Sequence, residues 1–243
     1  MIALRSTLFN VAFYAWTALL GIGGLPMLLA PRTSVMRFGR WWSRSVLDLA
    51  RVIAGVEYEL HGAEHLPRSP AIIAMKHQSA WDTLAVPALI GDVAIVLKRE
   101  LLWIPCYGWY ARKAGMIPIN RGAGATALKA MLRRARAVVA QGRSIVIFPE
   151  GTRTAVGTTR AYHPGVAALY TQLELPVVPV ALNSGLFWPR RSFLKRSGRI
   201  VVEALPPLPP GLERRTFLTE LQSRIETATE RLVAEASLPK RSP

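Results

Sequence analysis

The chain has 243 residues, 31 Lys plus Arg against 15 Asp plus Glu, and a formal net charge of +16. Half of it is apolar, which argues against disorder, and its single cysteine, Cys106, excludes an internal disulfide and any site built from several cysteines. The charge favours anionic partners: nucleic acid, anionic lipid or an acidic carrier protein.

Residues 6–31 carry no charged side chain. A run this long matches a bilayer-spanning helix, which needs about 20 apolar residues. Gly21, Gly23, Gly24 and Pro26 are expected to loosen or kink its second half. A secretory signal would also account for Arg5 and the apolar stretch, but no small-x-small cleavage pattern precedes Pro31. The spacing then predicts a helix over residues 33–54, with Arg37, Arg40, Arg44 and Arg51 on one face and Phe38, Trp41, Trp42, Val46 and Leu49 on the remainder. Such a helix either lies in the headgroup layer or shows a basic face to water. If the first run spans, the Arg excess after it places the main domain in the cytoplasm. The expected location is the inner membrane, with the active site on the cytoplasmic side. Cys106, between Pro105 and Tyr107, reads as a packed thiol.

From about Val56 the pattern becomes α/β. Residues 71–75, 93–97, 116–119, 144–148 and 177–182 are predicted strands, with a further one at 199–205. The first four are continuously apolar, as in strands covered on both faces. Helices are predicted over 81–90, 124–140, 165–173 and 213–236, the last on the outside. The expectation is an α/β fold, a mostly parallel central sheet flanked by helices, preceded by an N-terminal membrane-associated segment. Residues 1–55 are assigned to membrane-anchoring helices and 56–243 to the α/β domain with its C-terminal helix.

Three segments carry candidate chemistry. His77 falls between a strand and a helix, where open α/β sheets hold ligands, and Asp82 falls in the first turn of that helix. A carboxylate on one ring nitrogen fixes the tautomer and raises the basicity of the other. With four His and three Asp in the chain, one such spacing arises by chance about once in twenty, so it is only suggestive. Next, Phe148-Pro149-Glu150-Gly151-Thr152-Arg153 follows a buried strand, and Glu150 is the one acid between Leu101 and Leu173. Gly151 permits a positive φ or close backbone approach. Thr152 and Arg153 can hold a phosphate. Glu150 could accept from ligand hydroxyls or hold an Arg in place. Third, the strand at 116–119 ends at Asn120 and Arg121, delivering a cation to the same sheet edge.

His77-Gln-Ser-Ala-Trp-Asp82, Gly115 to Arg121, Phe148 to Arg153 and Val178-Pro-Val-Ala-Leu182 occur in the order of the four sequence blocks of the glycerolipid acyltransferases. The chain resembles the bacterial 1-acylglycerol-3-phosphate acyltransferases over roughly residues 55–205. One departure stands out: Tyr162-His163-Pro164-Gly165 replaces a stretch in which family members often carry a basic residue. The resemblance implies a glycerol-3-phosphate acyltransferase-like fold and direct transfer without a covalent acyl-enzyme. No Ser or Cys here sits in a nucleophile elbow. It implies His77 as general base on the sn-2 hydroxyl of lysophosphatidic acid and Asp82 as its orienter. Arg121, Glu150, Gly151, Thr152 and Arg153 would bind the glycerol-phosphate end, with Lys98 and Lys76 as further contacts. The donor would be a thioester of acyl carrier protein or coenzyme A, the product phosphatidic acid, and neither metal nor cofactor is expected. Lys129, Arg133 and Arg136 share a predicted helix face that could draw anionic membrane lipid or carrier toward the site. Other lysolipids, such as lyso-ornithine lipid, remain open as acceptors. A nucleic-acid-binding protein or a membrane scaffold with a decayed site are the remoter readings. No nucleic-acid signature is present.

Overall fold

The computed structural model describes residues 1–120, 122 and 124–237. α1 (Ile2–Gly23) and α2 (Arg32–Leu49) form an antiparallel hairpin. The uncharged run does not continue as one helix to residue 31: α1 stops at Gly23, and a 3₁₀ turn, Leu25–Leu29, reverses the chain. Gly24 makes the reversal possible, because a Cβ there would lie 2.6 Å from the Phe38 ring. Cross-hairpin bonds from Trp16 Nε1 to Ser45 Oγ (2.8 Å) and Trp42 Nε1 to Thr17 Oγ1 (3.3 Å) satisfy both indoles. Among the described residues α1 is the one helix long and apolar enough to cross a membrane. Leu4, Leu8, Val11, Tyr14, Leu19 and Ile22 are exposed on it, an apolar surface that water does not favour. Its other side is fastened to the domain by buried Ser6 and Phe9. Arg37, Arg40, Arg44 and Arg51 are all exposed, whereas Val35, Met36, Val46 and Leu47 face inward. Cys106 is half-buried beside Gly21 and adopts a positive φ.

The α/β part comprises β1 (Val56–His61), β2 (Ile72–Met75), α3 (Ala80–Leu89), β3 (Val93–Lys98), α4 (Tyr107–Lys113), β4 (Ile117–Ile119), α5 (Gly124–Val139), β5 (Ser144–Ile147), α6 (Pro164–Leu173), β6 (Val177–Leu182), β7 (Gly198–Ala204) and α7 (Arg214–Ser237). The seven strands lie in the order β1-β7-β6-β2-β5-β3-β4. All neighbours pair in parallel except β6 and β7, so β1 and β7 run against the rest. β2, β5 and β6 are buried at every position, as their unbroken apolar runs require. Two cores result. One packs α1, the end of α2 and α3 on one face. The other packs α5, α6 and α7 on the opposite face.

Two elements escape the sequence reading for physical reasons. β1 is an edge strand whose Glu57 and Glu59 are exposed, and Arg199 of β7 bridges them at 3.3 and 3.2 Å. Its stabilising partner lies 142 residues away. α4 has only seven residues and no room for a periodic pattern.

Asp92, ahead of β3, joins three elements: it accepts from Arg32 Nη1 of α2 (2.7 and 2.9 Å) and from Arg143 Nε beside β5 (2.8 Å). Burial alone would raise its pKa, but the two guanidiniums outweigh that and hold it below the ordinary carboxylate value. A lowered native pKa stabilises the fold above the unfolded value, and that contribution disappears as pH falls through the native one. Asp92→Asn should therefore lower the thermal midpoint of the detergent-solubilised protein at pH 7, by about 1 kcal/mol, because Asp92 itself and Arg32 are partly exposed even though Arg143 is buried. The gap between variant and wild type should close below about pH 4.

Candidate active site

The parallel strands deliver their loops to one edge of the sheet. β2 ends at Met75, Lys76 N–H extends the ladder to Val180 O (2.9 Å), and His77 is the first residue clear of it. Ser79 caps α3, its Oγ accepting from Trp81 N at 3.1 Å. Asp82 completes a capping box and is wholly buried. Its Oδ2 accepts from Gln78 N and Ser79 N, both at 2.8 Å, and stands 2.9 Å from His77 Nδ1. Ser184, just past β6, donates its hydroxyl to Oδ1. The same cap that starts the helix thus aims a carboxylate at the imidazole. An ionised carboxylate only accepts, so Nδ1 carries the proton and Nε2 keeps a free lone pair. The ring stacks on Phe148, centroids 4.1 Å apart and planes 24° from parallel.

The loop after β5 needs glycine at 151, where φ is +66° and a Cβ would lie 2.5 Å from His163 Cδ2. Glu150 departs from the expectation of a ligand contact: it is 1% exposed and points inward. Its carboxylate accepts from Lys76 Nζ (2.6 Å), Thr154 Oγ1 (2.7 Å) and the backbone N–H of His77 (3.0 Å). Lys76 departs likewise. It is 0% exposed, too deep to meet a carrier, and it also donates to both oxygens of Glu226 on α7, at 2.9 and 2.7 Å. Tyr162, in the segment that departs from the family pattern, donates to Glu226 at 3.0 Å. Burial, and then Glu226 and Glu150, push its phenol far above the usual value, so it remains a donor. One buried network therefore runs from α7 to the backbone of the histidine loop.

His77, Lys98, Gly151, Thr152 and Arg153 line a single cleft of about 830 Å³. Arg121 lies outside the described residues. The walls are largely apolar: Ile95 and Leu97 of β3, Leu101, Ile104, and Phe13 and Tyr14 of α1. The basic face of Lys129, Arg133 and Arg136 is exposed, but α5 packs on the other face of the sheet and contributes nothing to the cleft lining, contrary to expectation. Sequence reasoning missed Ser184, Tyr162 and Glu226. Ser184 had a usable signal, since it follows the carboxyl end of a parallel strand. Glu226 had a faint one: it adjoins the inward stripe of Leu221, Ile225, Ala228 and Leu232.

Sheet and cleft together define an α/β protein with a His–Asp pair at the carboxyl edge of its strands. Residues 57–183 match the family model described as Acyltransferase, and the chain belongs to that family. It is 36% identical over 196 residues to a 1-acyl-sn-glycerol-3-phosphate acyltransferase of Pseudomonas aeruginosa, covering 81% of this chain and 76% of the relative. A lyso-ornithine lipid O-acyltransferase of the same organism is 28% identical over 79% of this chain and 78% of its own length. The solved structure of the Thermotoga maritima 1-acyl-sn-glycerophosphate acyltransferase, PlsC, has the same fold, with a TM-score of 0.82 over 99% of this chain and 100% of that one at 20% identity.

Proposed function

We propose that the protein transfers a fatty acyl group from a thioester of acyl carrier protein or coenzyme A to the sn-2 hydroxyl of 1-acylglycerol 3-phosphate, giving phosphatidic acid. The observation that carries this reading is that the His77–Asp82 pair shares one cleft with Lys98, Thr152 and Arg153 and with apolar walls. Such a cleft suits a molecule with a phosphate, a hydroxyl and an acyl chain. His77 Nε2 takes the hydroxyl proton as the oxygen attacks the thioester carbonyl. Asp82 stabilises the imidazolium. The tetrahedral intermediate collapses, the C–S bond breaks, and the thiolate leaves with the proton from Nε2. Arg153 and Lys98 hold the acceptor phosphate, with Thr152 donating beside them. The apolar surface of α1 supports a cleft that works at the bilayer. On this reading the protein sits on the cytoplasmic side of the inner membrane, where its net positive charge would attract anionic lipid and acidic carrier.

A panel of lysolipid acceptors with a labelled acyl donor tests the reading. Lysophosphatidate should give the highest kcat/KM; lyso-ornithine lipid used equally well or better would overturn it. Arg153→Ala should raise the acceptor KM about 10-fold or more and leave the donor KM within about twofold, as expected for one charge-assisted phosphate contact. Equal rises in both would remove Arg153 from the acceptor clamp.

A further inference from the structure

The cleft carries cations on two walls. Lys98 ends β3 and Arg153 lies in the loop after β5, beside the histidine loop, whereas Arg190, Arg191 and Lys195 come from the segment joining β6 to β7. Among the described residues no Asp or Glu lines the cleft. Lys195 is already used: its Nζ donates to the carbonyls of Ser192 (3.1 Å) and Phe193 (3.0 Å) and sits 5.0 Å from the centre of the Trp188 ring. Arg190 and Arg191 are not. Among the described residues neither has a hydrogen-bond partner or a carboxylate within ion-pair distance, and Arg190 Nε is shielded from solvent without any acceptor. Arg191, whose side chain is exposed, has φ +58°, a conformation uncommon for residues other than glycine.

Contacts within the segment and with α1 fix the path of the segment. Arg196 N bonds back to Phe187 O (2.8 Å), closing the segment on itself. Lys195 N donates to Ser6 Oγ (2.9 Å), and Asn10 Nδ2 to Phe193 O (3.1 Å). Phe9 packs edge-on against Trp188, centroids 5.1 Å apart. The loop is thus bolted to α1, the helix with the exposed apolar surface. A guanidinium with a shielded, empty donor on a prearranged loop is an unfilled anion site, and its fork geometry matches phosphate oxygens.

We propose that Arg190 and Arg191 form a second phosphate-binding site in the cleft, on the wall attached to α1, which receives the phosphate of the acceptor lipid as it leaves the bilayer, ahead of the Arg153 clamp beside His77. The attachment to α1 decides between the two phosphate sources. A site fixed to the membrane-facing helix meets lipid headgroups, whereas a thioester carrier approaches from water. The assignment rests on the proposed lysophosphatidate activity.

The test is a binding measurement that requires no turnover. Full-length protein in neutral detergent micelles is titrated with 1-acylglycerol 3-phosphate and, separately, with coenzyme A, using the fluorescence of the tryptophans, of which Trp188 is two residues from Arg190. The wild type, Arg190→Gln, Arg190→Lys and Arg190→Gln/Arg191→Gln are compared. The double variant should bind lysophosphatidate roughly 10-fold or more weakly and coenzyme A within about twofold of wild type, with Arg190→Lys between. A selective loss of coenzyme A affinity would assign the site to the donor and overturn the proposal, and so would unchanged affinity for both ligands. The two readings fail separately. Wild-type protein that binds lysophosphatidate without acylating it sinks the activity and leaves the site, whereas an active wild type with an unaffected double variant sinks the site alone.

Discussion

His77→Ala should remove acyl transfer and leave the protein folded and membrane-bound. A positioned base contributes about 10²–10⁴-fold, and without it the hydroxyl must lose its proton to water in a cleft with apolar walls. Residual turnover should therefore fall by about 10³-fold or more, measured as single-turnover acyl transfer at saturating lysophosphatidate. The fold should tolerate the change. The His77 side chain sits at the rim, 14% exposed, with Phe148 beneath it, and its backbone N–H to Glu150 survives the truncation. The thermal midpoint and vesicle sedimentation should match wild type. Purified His77→Ala with more than about a tenth of wild-type kcat would remove the imidazole from the proposed chemistry. Asp82→Ala should behave differently. It loses activity too, but it also leaves Gln78 N–H, Ser79 N–H and the Ser184 hydroxyl without their acceptor and deletes a capping box. Loss of a cap alone costs about 0.5–2 kcal/mol, so this variant should melt earlier while His77→Ala does not.

The difference between those two residues also shows what a sequence can and cannot convey about this site. The His77–Asp82 contact is local: five positions, a Ser cap and a strand end suffice to bring the groups together, and all of these are visible in the string Met75 to Asp82. The continuous apolar runs were legible for a similar reason, because burial on both faces confines polar residues to strand ends such as Ser144 and Lys98. Glu150 was legible as significant but not in its role. Which way a side chain leaves a turn depends on what waits inside, and its partners are 74 residues upstream on Lys76 and, through that lysine, on an outer helix beyond residue 214. A lysine next to a histidine in a basic chain reads as one more surface cation. Only the fold reveals that it is surrounded by two carboxylates and sealed from water. The loop carrying Arg190 was silent altogether, because its shape is imposed by Ser6, Phe9 and Asn10, which read as members of a membrane run rather than as fasteners.

The buried network yields a prediction whose sign depends on counting charge. With Lys76 and both carboxylates ionised, the cluster has a formal net charge of −1 in a region almost closed to solvent, where only the Glu226 side chain keeps 12% exposure. The excess is shared among the Tyr162 hydroxyl, the Thr154 hydroxyl and the His77 N–H. Lys76→Met keeps the volume but strands two carboxylates without their cation. Breaking a buried pair in this way costs about 3–5 kcal/mol, a large share of the roughly 5–15 kcal/mol that holds a domain folded, so the variant should accumulate poorly and melt far below wild type. Glu226→Gln acts the other way on the charge. It leaves Lys76 paired with Glu150 at 2.6 Å, brings the cluster to neutrality and retains an acceptor for Tyr162, so its cost should be about 1 kcal/mol. Restoring neutrality to the lysine-free protein, as Lys76→Met with Glu150→Gln and Glu226→Gln, should recover much of the lost stability, since no charge is then left buried. Activity separates stability from positioning. Glu150 is the group that grips the His77 backbone, and Gln in its place keeps an acceptor but loses the charge assistance, so the triple variant should fold and yet turn over more slowly, with KM for both substrates close to wild type. A Lys76→Met protein as stable as Glu226→Gln would mean that the carboxylates are not held charged. The link from α7 to the histidine loop would then be packing rather than electrostatics.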